Sequence, residues 1–494
     1  MRRREALAAI SLAVPALALP ACSGAADGRP WWRQPIAESA SFPCGVVASL
    51  PDERGGVILV ALLEDVVGPR RVGVEIAADP GFSSPIFRMS VDLPDEPNVP
   101  VRMRVPLPAV HGRTTLYYRF LTERVASPTG RFRMPAASAD AQPIRLAYFS
   151  CQGWQPGYFA AHAGLAAEPD LDLALCLGDY IYERTDDTGP RTDTIGAKGD
   201  GFAEALDEYR AKYRLYRSDE HLRAMHAAHP FLAVWDNHEL AAAYSDARIS
   251  VAERAENGRR AFWEWMPMEP GPADRVLYRS IRLGTQLELF LLDLHSYAAP
   301  ISSGGSYLGQ EQRAWLLDTL AASTARWKLL GTSTVMMGLD LAPGRPVNTN
   351  QWDGYAEERR LLVEHVRARG IRGVVAISGD LHTFLGGQVT TTGRNDGDPG
   401  FPELSGGAIS SLGLLDLAPD QTTLARNLED AARELNPHLT FMDALAKGYV
   451  VVEAGDDLVL TCRAVESPLD PDSPTRDLAR LRVVHESGAL QRLS

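Results

Sequence analysis

Four short stretches of this 494-residue chain place metal-ligand side chains directly after an apolar run. "IRLAYFS" leads into Cys151 and Gln152, and "LDLALCLG" into Asp179, Tyr180 and Tyr182. "FLAVW" leads into Asp236, Asn237, His238 and Glu239, and "GVVAISG" into Asp380 and His382. Carboxylate and amide oxygens suit a hard cation such as Ca²⁺, Mg²⁺ or Mn²⁺, whereas thiolate, imidazole and phenol suit a transition metal. The tyrosine discriminates. A phenol ionises near pH ~10 in isolation, so only a highly charged ion binds it as phenolate at neutral pH, and Fe³⁺ is the natural choice. The donor types together point to one ferric ion beside at least one hard divalent cation.

Taken singly, each residue has an ordinary structural alternative. Asp179 after Gly178 suits a turn or a helix N-cap, and Asn237 a turn. Tyr182 suits a pocket rim. Cys151 suits a buried thiol or the nucleophile of a cysteine hydrolase, with His238 or His382 as base. His238 suits a hydrogen-bonded core position and His382 plain surface polarity. It is the recurrence at four strand ends that favours one converging site, because the loops at the carboxyl ends of α/β strands meet in one crevice.

Those strands need a covered sheet. After Ile144, near-continuous apolar runs alternate with helical stretches, adding "LELFLLDL" and "WKLLGTSTV" to the four above. Such runs predict a sheet buried on both faces by helices. In "AEERRLLVEHVRARG" the spacing puts Leu361, Leu362, His365 and Val366 on one helical face, ended by Gly370. "YVVVEAG" and "DLVLTCRAV" predict an antiparallel hairpin near the end. Residues 41–137 instead carry short runs with turn signals, the pattern of a small antiparallel β-sandwich. "SPTGRFRMPAASADAQP" is expected to link it to a catalytic domain over 138–494.

The first 22 residues, "MRRREALAAISLAVPALALPAC", join a basic head, an apolar stretch too short for a comfortable membrane span, and small residues. Arg3, Arg4 and Leu7 fit a twin-arginine signal, and "LPAC" a lipobox ending at Cys22. A tether over 23–40 follows. The expectation is an exported protein, in the periplasm or on the outer cell surface, touching a membrane only through the signal or a lipid anchor at Cys22. The formal net charge of −13 argues against a general nucleic-acid or anionic-membrane binder. Cys22, Cys44, Cys151, Cys176 and Cys462 are too few for a disulfide framework, and Cys176 reads as a small core residue.

The ordered set "FPCGVVASLPDE", "SPTGRFRMPA", "SCQ", "LGDYIYE", "WDNHE", "LGQEQRAWLLDTL", "SGDLH" and "NPHLTFMDALAKGY" resembles the PhoD-type alkaline phosphatases and phosphodiesterases. These are a branch of the metallophosphoesterases related to purple acid phosphatases. The resemblance implies an αββα sandwich behind the N-terminal β-sandwich. It implies that Cys151, Asp179, Tyr182 and His382 bind Fe³⁺, and that Asp179 bridges to a Ca²⁺-type site completed by Asn237 and Asp380. Mn²⁺ or Mg²⁺ are the alternatives for that second ion. His238 would contact the phosphate or protonate the leaving oxygen of a phosphate-ester substrate, while a water activated by the cations attacks phosphorus. The chain departs from the family's usual text in "ASLPDE", in His295 where an arginine is common, in Asn237 where many members carry a second Asp, and in "NHELAAAYSD". The "NPHLTFMDALAKGY" signature and Cys44 carry no assigned role.

Overall fold

The computed structural model describes residues 40–493 apart from 53–55, 65–69, 108–111, 185–187, 241–249, 270–275, 300–304, 348, 350, 395–396, 414, 417 and 419. The signal, nearly all of the tether, Cys22 and the end of "NHELAAAYSD" lie outside the described residues.

The N-terminal strands form two antiparallel sheets. β1 (Val46–Ala48), β2 (Gly56–Ala61) and β5 (Val101–Pro106) make one, in the order β1-β2-β5. β3 (Arg71–Ala77), β4 (Phe87–Asp92), β6 (Thr115–Leu121) and β7 (Gly130–Arg133) make the other, in the order β4-β3-β6-β7. Val57, Leu59, Val74, Ile76, Met103 and Phe120 from both sheets share one core. β7 lies inside the stretch read as a linker. Phe132 is buried in that core, so the segment's apolar residues pair with β6 and do not form a free connection.

Two seven-stranded sheets make the rest. The first combines β8 (Ile144–Phe149), β9 (Leu173–Leu177), β10 (Phe231–Val234), β20 (Gly448–Ala454), β21 (Leu458–Val465), β22 (Thr475–Val483) and β23 (Leu490–Arg492), in the order β10-β9-β8-β20-β21-β22-β23. The expected hairpin is β20–β21, and its β20 strand pairs with β8 inside this sheet. The second combines β11 (Arg279–Leu283), β12 (Leu287–Leu291), β13 (Trp327–Gly331), β16 (Val374–Ser378), β17 (Phe384–Thr390), β18 (Pro399–Ser405) and β19 (Leu439–Asp443), in the order β11-β12-β13-β16-β18-β17-β19. A short hairpin of β14 (Asp340–Ala342) and β15 (Arg345–Pro346) lies beside it in the chain.

Alternation along β16 shows the layering. Val375 and Ile377 pack into a core shared with the first sheet, while Val374 and Ala376 pack into a second core with the helices α5 (Gly309–Ala322) and α6 (Ala356–Ala368). The other face of the first sheet meets α1 (Ala161–Ala167), α2 (Leu206–Tyr216) and α3 (Glu220–Ala228) through Leu165, Tyr213 and Leu222. α4 (Val251–Trp265) packs beside α2, and α7 (Gln421–Leu435) beside β14 and β19. In α6 the buried face is Glu358, Arg359, Leu362, Val363 and Val366, while Leu361 is exposed. Arg359 turns inward to pair with Asp353, which rotates the expected face by one position. Gly370 ends that segment at φ +62°, as expected.

β8, β9 and β10 are mutually parallel, as are β12, β13 and β16. Cys151, Asp179, Asp236, His295, Ser333, Asp380 and His382 therefore all follow carboxyl ends of parallel strands.

Candidate metal centre

One compact group lies where these ends converge. Cys151, Asp179 and His382 each offer a ligand atom, and the three atoms lie within 4.8 Å of one another. The Cys151 Sγ stands 3.7 Å from Asp179 Oδ2. The Tyr182 hydroxyl lies 3.3 Å from Asp179 Oδ2 and 3.3 Å from His382 Nε2. Four of the expected residues are thus brought together from three separate turns.

Each donor is held from behind. His382 Nδ1–H donates to the Leu412 carbonyl at 2.5 Å, which leaves Nε2 as the lone-pair nitrogen facing the group. Ser411 Oγ lies 2.8 Å from both the Tyr182 hydroxyl and the Cys151 carbonyl oxygen, and accepts the Gly153 N–H at 2.8 Å. The Glu239 carboxylate accepts the N–H groups of Asp179, Tyr180 and Asp236 at 3.1, 2.5 and 2.9 Å, tying the ends of β9 and β10 together. Gly178 sits at φ +102°, and a Cβ there would lie 2.5 Å from the Asp236 Cβ. The "LGD" glycine lets the two strand ends approach.

Asp380 and His238 lie beside this group, and Asn237 adjoins it in the chain. Asp380 follows β16, and its Oδ2 accepts the Gln351 Nε2 at 2.7 Å. Asn237 is half-buried in the turn after β10. His238 donates its backbone N–H to Asp179 Oδ1 at 3.3 Å, and its ring lies 4.1 Å from that of Tyr182. Its Nδ1–H donates to Glu183 Oε2 at 2.7 Å. His295 Nε2 bonds Asp236 Oδ1, which Ser333 Oγ also approaches at 2.9 Å.

Electrostatics give the group its character. Burial, then Asp236 and Glu183, push the Asp179 carboxyl up to about 6 against the pull of His238. Burial and the charges of Asp236 and Asp179 push Asp380 to about 8, and burial with Asp179 pushes Glu239 to about 8. The Cys151 thiol and Tyr182 phenol are driven well above their ordinary values by burial and by Asp179. Burial holds His382 neutral, down to about 4. For His238, burial opposes protonation, but Glu183 and Asp179 outweigh it and raise the ring to about 10. Asp236 Oδ2 is buried without a hydrogen-bond partner. Crowded acids, a bare carboxylate oxygen and a neutral imidazole are a donor set that cations fit.

Asp236 and Glu239 stood in a quoted stretch, and Glu183 ended another, but their supporting contacts were not legible there. Gln351 and Ser411 carried no sequence signal, and Ser333 stood unremarked in "WKLLGTSTV", since each reaches the site from a different segment. The "NPHLTFMDALAKGY" stretch also gains a place. Asn436 accepts the Asp340 N–H at 2.8 Å and returns a bond to its carbonyl at 3.0 Å. Lys447 Nζ pairs with Asp416 at 2.8 Å and lies 3.5 Å from the His382 carbonyl, bracing the loop that holds His382. Cys44 is a buried free thiol whose Sγ lies 3.6 Å from the Arg214 carbonyl.

Known proteins are similar to this chain in sequence and fold. Residues 146–461, well over half of the chain, match the PhoD-like phosphatase family. The chain is 27% identical over 459 residues to alkaline phosphatase D of Bacillus subtilis (strain 168), spanning 84% of this chain and 76% of that protein. Its fold superposes on a solved structure of PhoD with a TM-score of 0.79 at 24% identity, covering 93% of this chain and 94% of that one. A purple acid phosphatase from yellow lupin (Lupinus luteus) seeds superposes at 0.55 and 12% identity, covering 87% and 73%.

Proposed function

The chain belongs to the PhoD-like phosphatase family and is a phosphoric ester hydrolase, and from that premise we propose that its centre holds one ferric ion and one divalent cation, Ca²⁺ or in its place Mn²⁺ or Mg²⁺. The observation that carries this reading is the approach of the Cys151, Asp179 and His382 ligand atoms to within 4.8 Å, with the Tyr182 hydroxyl against two of them. In this reading Cys151, Asp179, Tyr182 and His382 hold the iron, and Asp179, Asn237 and Asp380 hold the divalent ion. Bound there, the cations supply Lewis-acid charge for the phosphate oxygens and lower the pKa of a water. His238 faces the phosphate, with Glu183 fixing its ring orientation, and gives its proton to the leaving oxygen. Cys151 serves as a ligand, since burial and the neighbouring acids disfavour the free thiolate a nucleophile needs.

The two N-terminal sheets act as the small β-sandwich over 41–137, and the two larger sheets with their outer helices as the αββα catalytic domain over 138–494. Residues 1–22 serve as the export signal. Among the described residues, no helix is long and apolar enough to cross a membrane, so membrane attachment in this reading rests on the signal or on a lipid at Cys22.

Elemental analysis of protein purified without added metal, with a visible spectrum and a panel of phosphomonoesters and phosphodiesters, tests the proposal. The expectation is stoichiometric iron, a second metal, and a phenolate-to-iron absorption band that disappears in Tyr182→Phe. A colourless, iron-free, fully active enzyme would overturn it.

A further inference from the structure

We propose that Gln351 is a positioning residue for the divalent cation, acting through the Asp380 carboxylate; this rests on reading the site as a two-cation phosphoesterase centre. Asp380 leaves β16 in left-handed backbone at φ 71°, under the charges of Asp236 and Asp179. A carboxylate so placed is pushed away from its neighbours unless something holds it. The only described side-chain hydrogen bond to it is the Gln351 amide, 2.7 Å from Oδ2. That bond fixes one oxygen and leaves the other to a cation.

The choice of glutamine follows from charge. An arginine or lysine would also grip Asp380, but would neutralise the charge the cation needs. A glutamate would repel it. A neutral amide orients the carboxylate and leaves its charge in place.

Gln351 is itself held firmly. It precedes Trp352, which is fully buried with its Nε1–H 3.4 Å from Thr332 Oγ1. Asp353 pairs with the buried Arg359 at 3.1 Å, and Arg359 also donates to the Met336 carbonyl at 3.1 Å. Tyr355 stacks on Tyr307 with ring centroids 4.6 Å apart and an interplanar angle of 3°. This packed strap enters α6, and with the Gln351 carbonyl accepting the Gly354 N–H at 2.8 Å it fixes the backbone from which the amide reaches Asp380.

The test uses the full chain with its iron left in place, dialysed free of divalent cations and titrated with Ca²⁺ and separately Mn²⁺ by calorimetry, with iron content measured in parallel. Gln351→Leu keeps the bulk and removes the donor. Gln351→Asn keeps the amide and withdraws it by one methylene. Both should weaken divalent binding by about 10- to 100-fold, the usual loss when a ligand's outer partner is removed, and retain iron and its absorption band. Divalent affinity equal to wild type in both variants would overturn the proposal, as would loss of iron together with the divalent ion. A wild-type protein that takes up no divalent cation would instead sink the two-cation reading beneath it.

Discussion

Stripped of cations, this protein should lose stability as the pH rises from about 6.5 to about 8, and regain it when cations return. Asp380 and Glu239 are each raised to about 8 by burial and like-charged neighbours, and His238 to about 10 by Glu183 and Asp179 against the pull of burial. In an unfolded chain such carboxyls lose their protons near pH ~4 and histidine near ~6.5. A raised folded value means a proton kept by the folded state only. Its stabilisation is complete below the unfolded value and is lost as the pH climbs through the folded one. The buried histidines act oppositely. His382 and His229 are lowered to about 4 and His162 to about 3, chiefly by burial, so their effect is spent once the unfolded ring is neutral, above about pH 6.5. In the window above that, the raised groups act unopposed among these. One retained proton gives a slope of about 1.4 kcal/mol per pH unit, and three give about 4. The assay is denaturant unfolding of chelator-treated protein across the window, repeated with the proposed Fe³⁺ and Ca²⁺ added. Bound cations ionise the same carboxyls, so the slope should flatten. Metal-free protein whose stability is level or climbs between those limits would refute the electrostatic account of the centre.

Two substitutions probe the supports. Glu239→Ala leaves the N–H groups of Asp179, Tyr180 and Asp236 without their buried acceptor; at about 1–3 kcal/mol each, denaturant unfolding of the metal-free protein should show a loss of at least about 3 kcal/mol. Lys447→Met strands Asp416 beside the His382 loop and should cost about 3 kcal/mol in the same assay. The double variant with Asp416→Asn should recover part of that loss in a mutant cycle.

How far the sequence carried the reading follows from what each residue depends on. β8, β9, β10 and β16 are legible because strands buried on both faces must be apolar throughout, so a carboxylate at the end stands out. Cys151, Asp179, Tyr182 and His382 were therefore visible as donors. Their supports were not. Gln351 comes from a strap before α6 and Ser411 from a loop after β18, and no local periodicity marks a residue whose only peculiarity is a partner 29 or 229 positions away. The same limit explains α6. Helical spacing favoured Leu361, but the charged Arg359 is buried through its pair with Asp353, and Val363 takes the inner place. It explains β7 as well, where a run rich in Pro, Gly and Ser hides four residues that pair with β6.

The backbone adds a signal that side-chain types could not. Among the described residues, nine that are not glycine adopt positive φ, and four of them are Cys151, Asp179, Asp380 and His382, at φ 56°, 52°, 71° and 54°. Left-handed backbone costs an ordinary residue about 1–2 kcal/mol, and less for aspartate, so Cys151 carries the clearest strain of the four. Gly178, beside Asp179, also has positive φ, where glycine carries no such cost. Glycine would remove the strain and the donor together. The buried sheets supply the rigidity that keeps these residues strained, and the strain is the cost of bringing thiol, carboxylate and imidazole to one point.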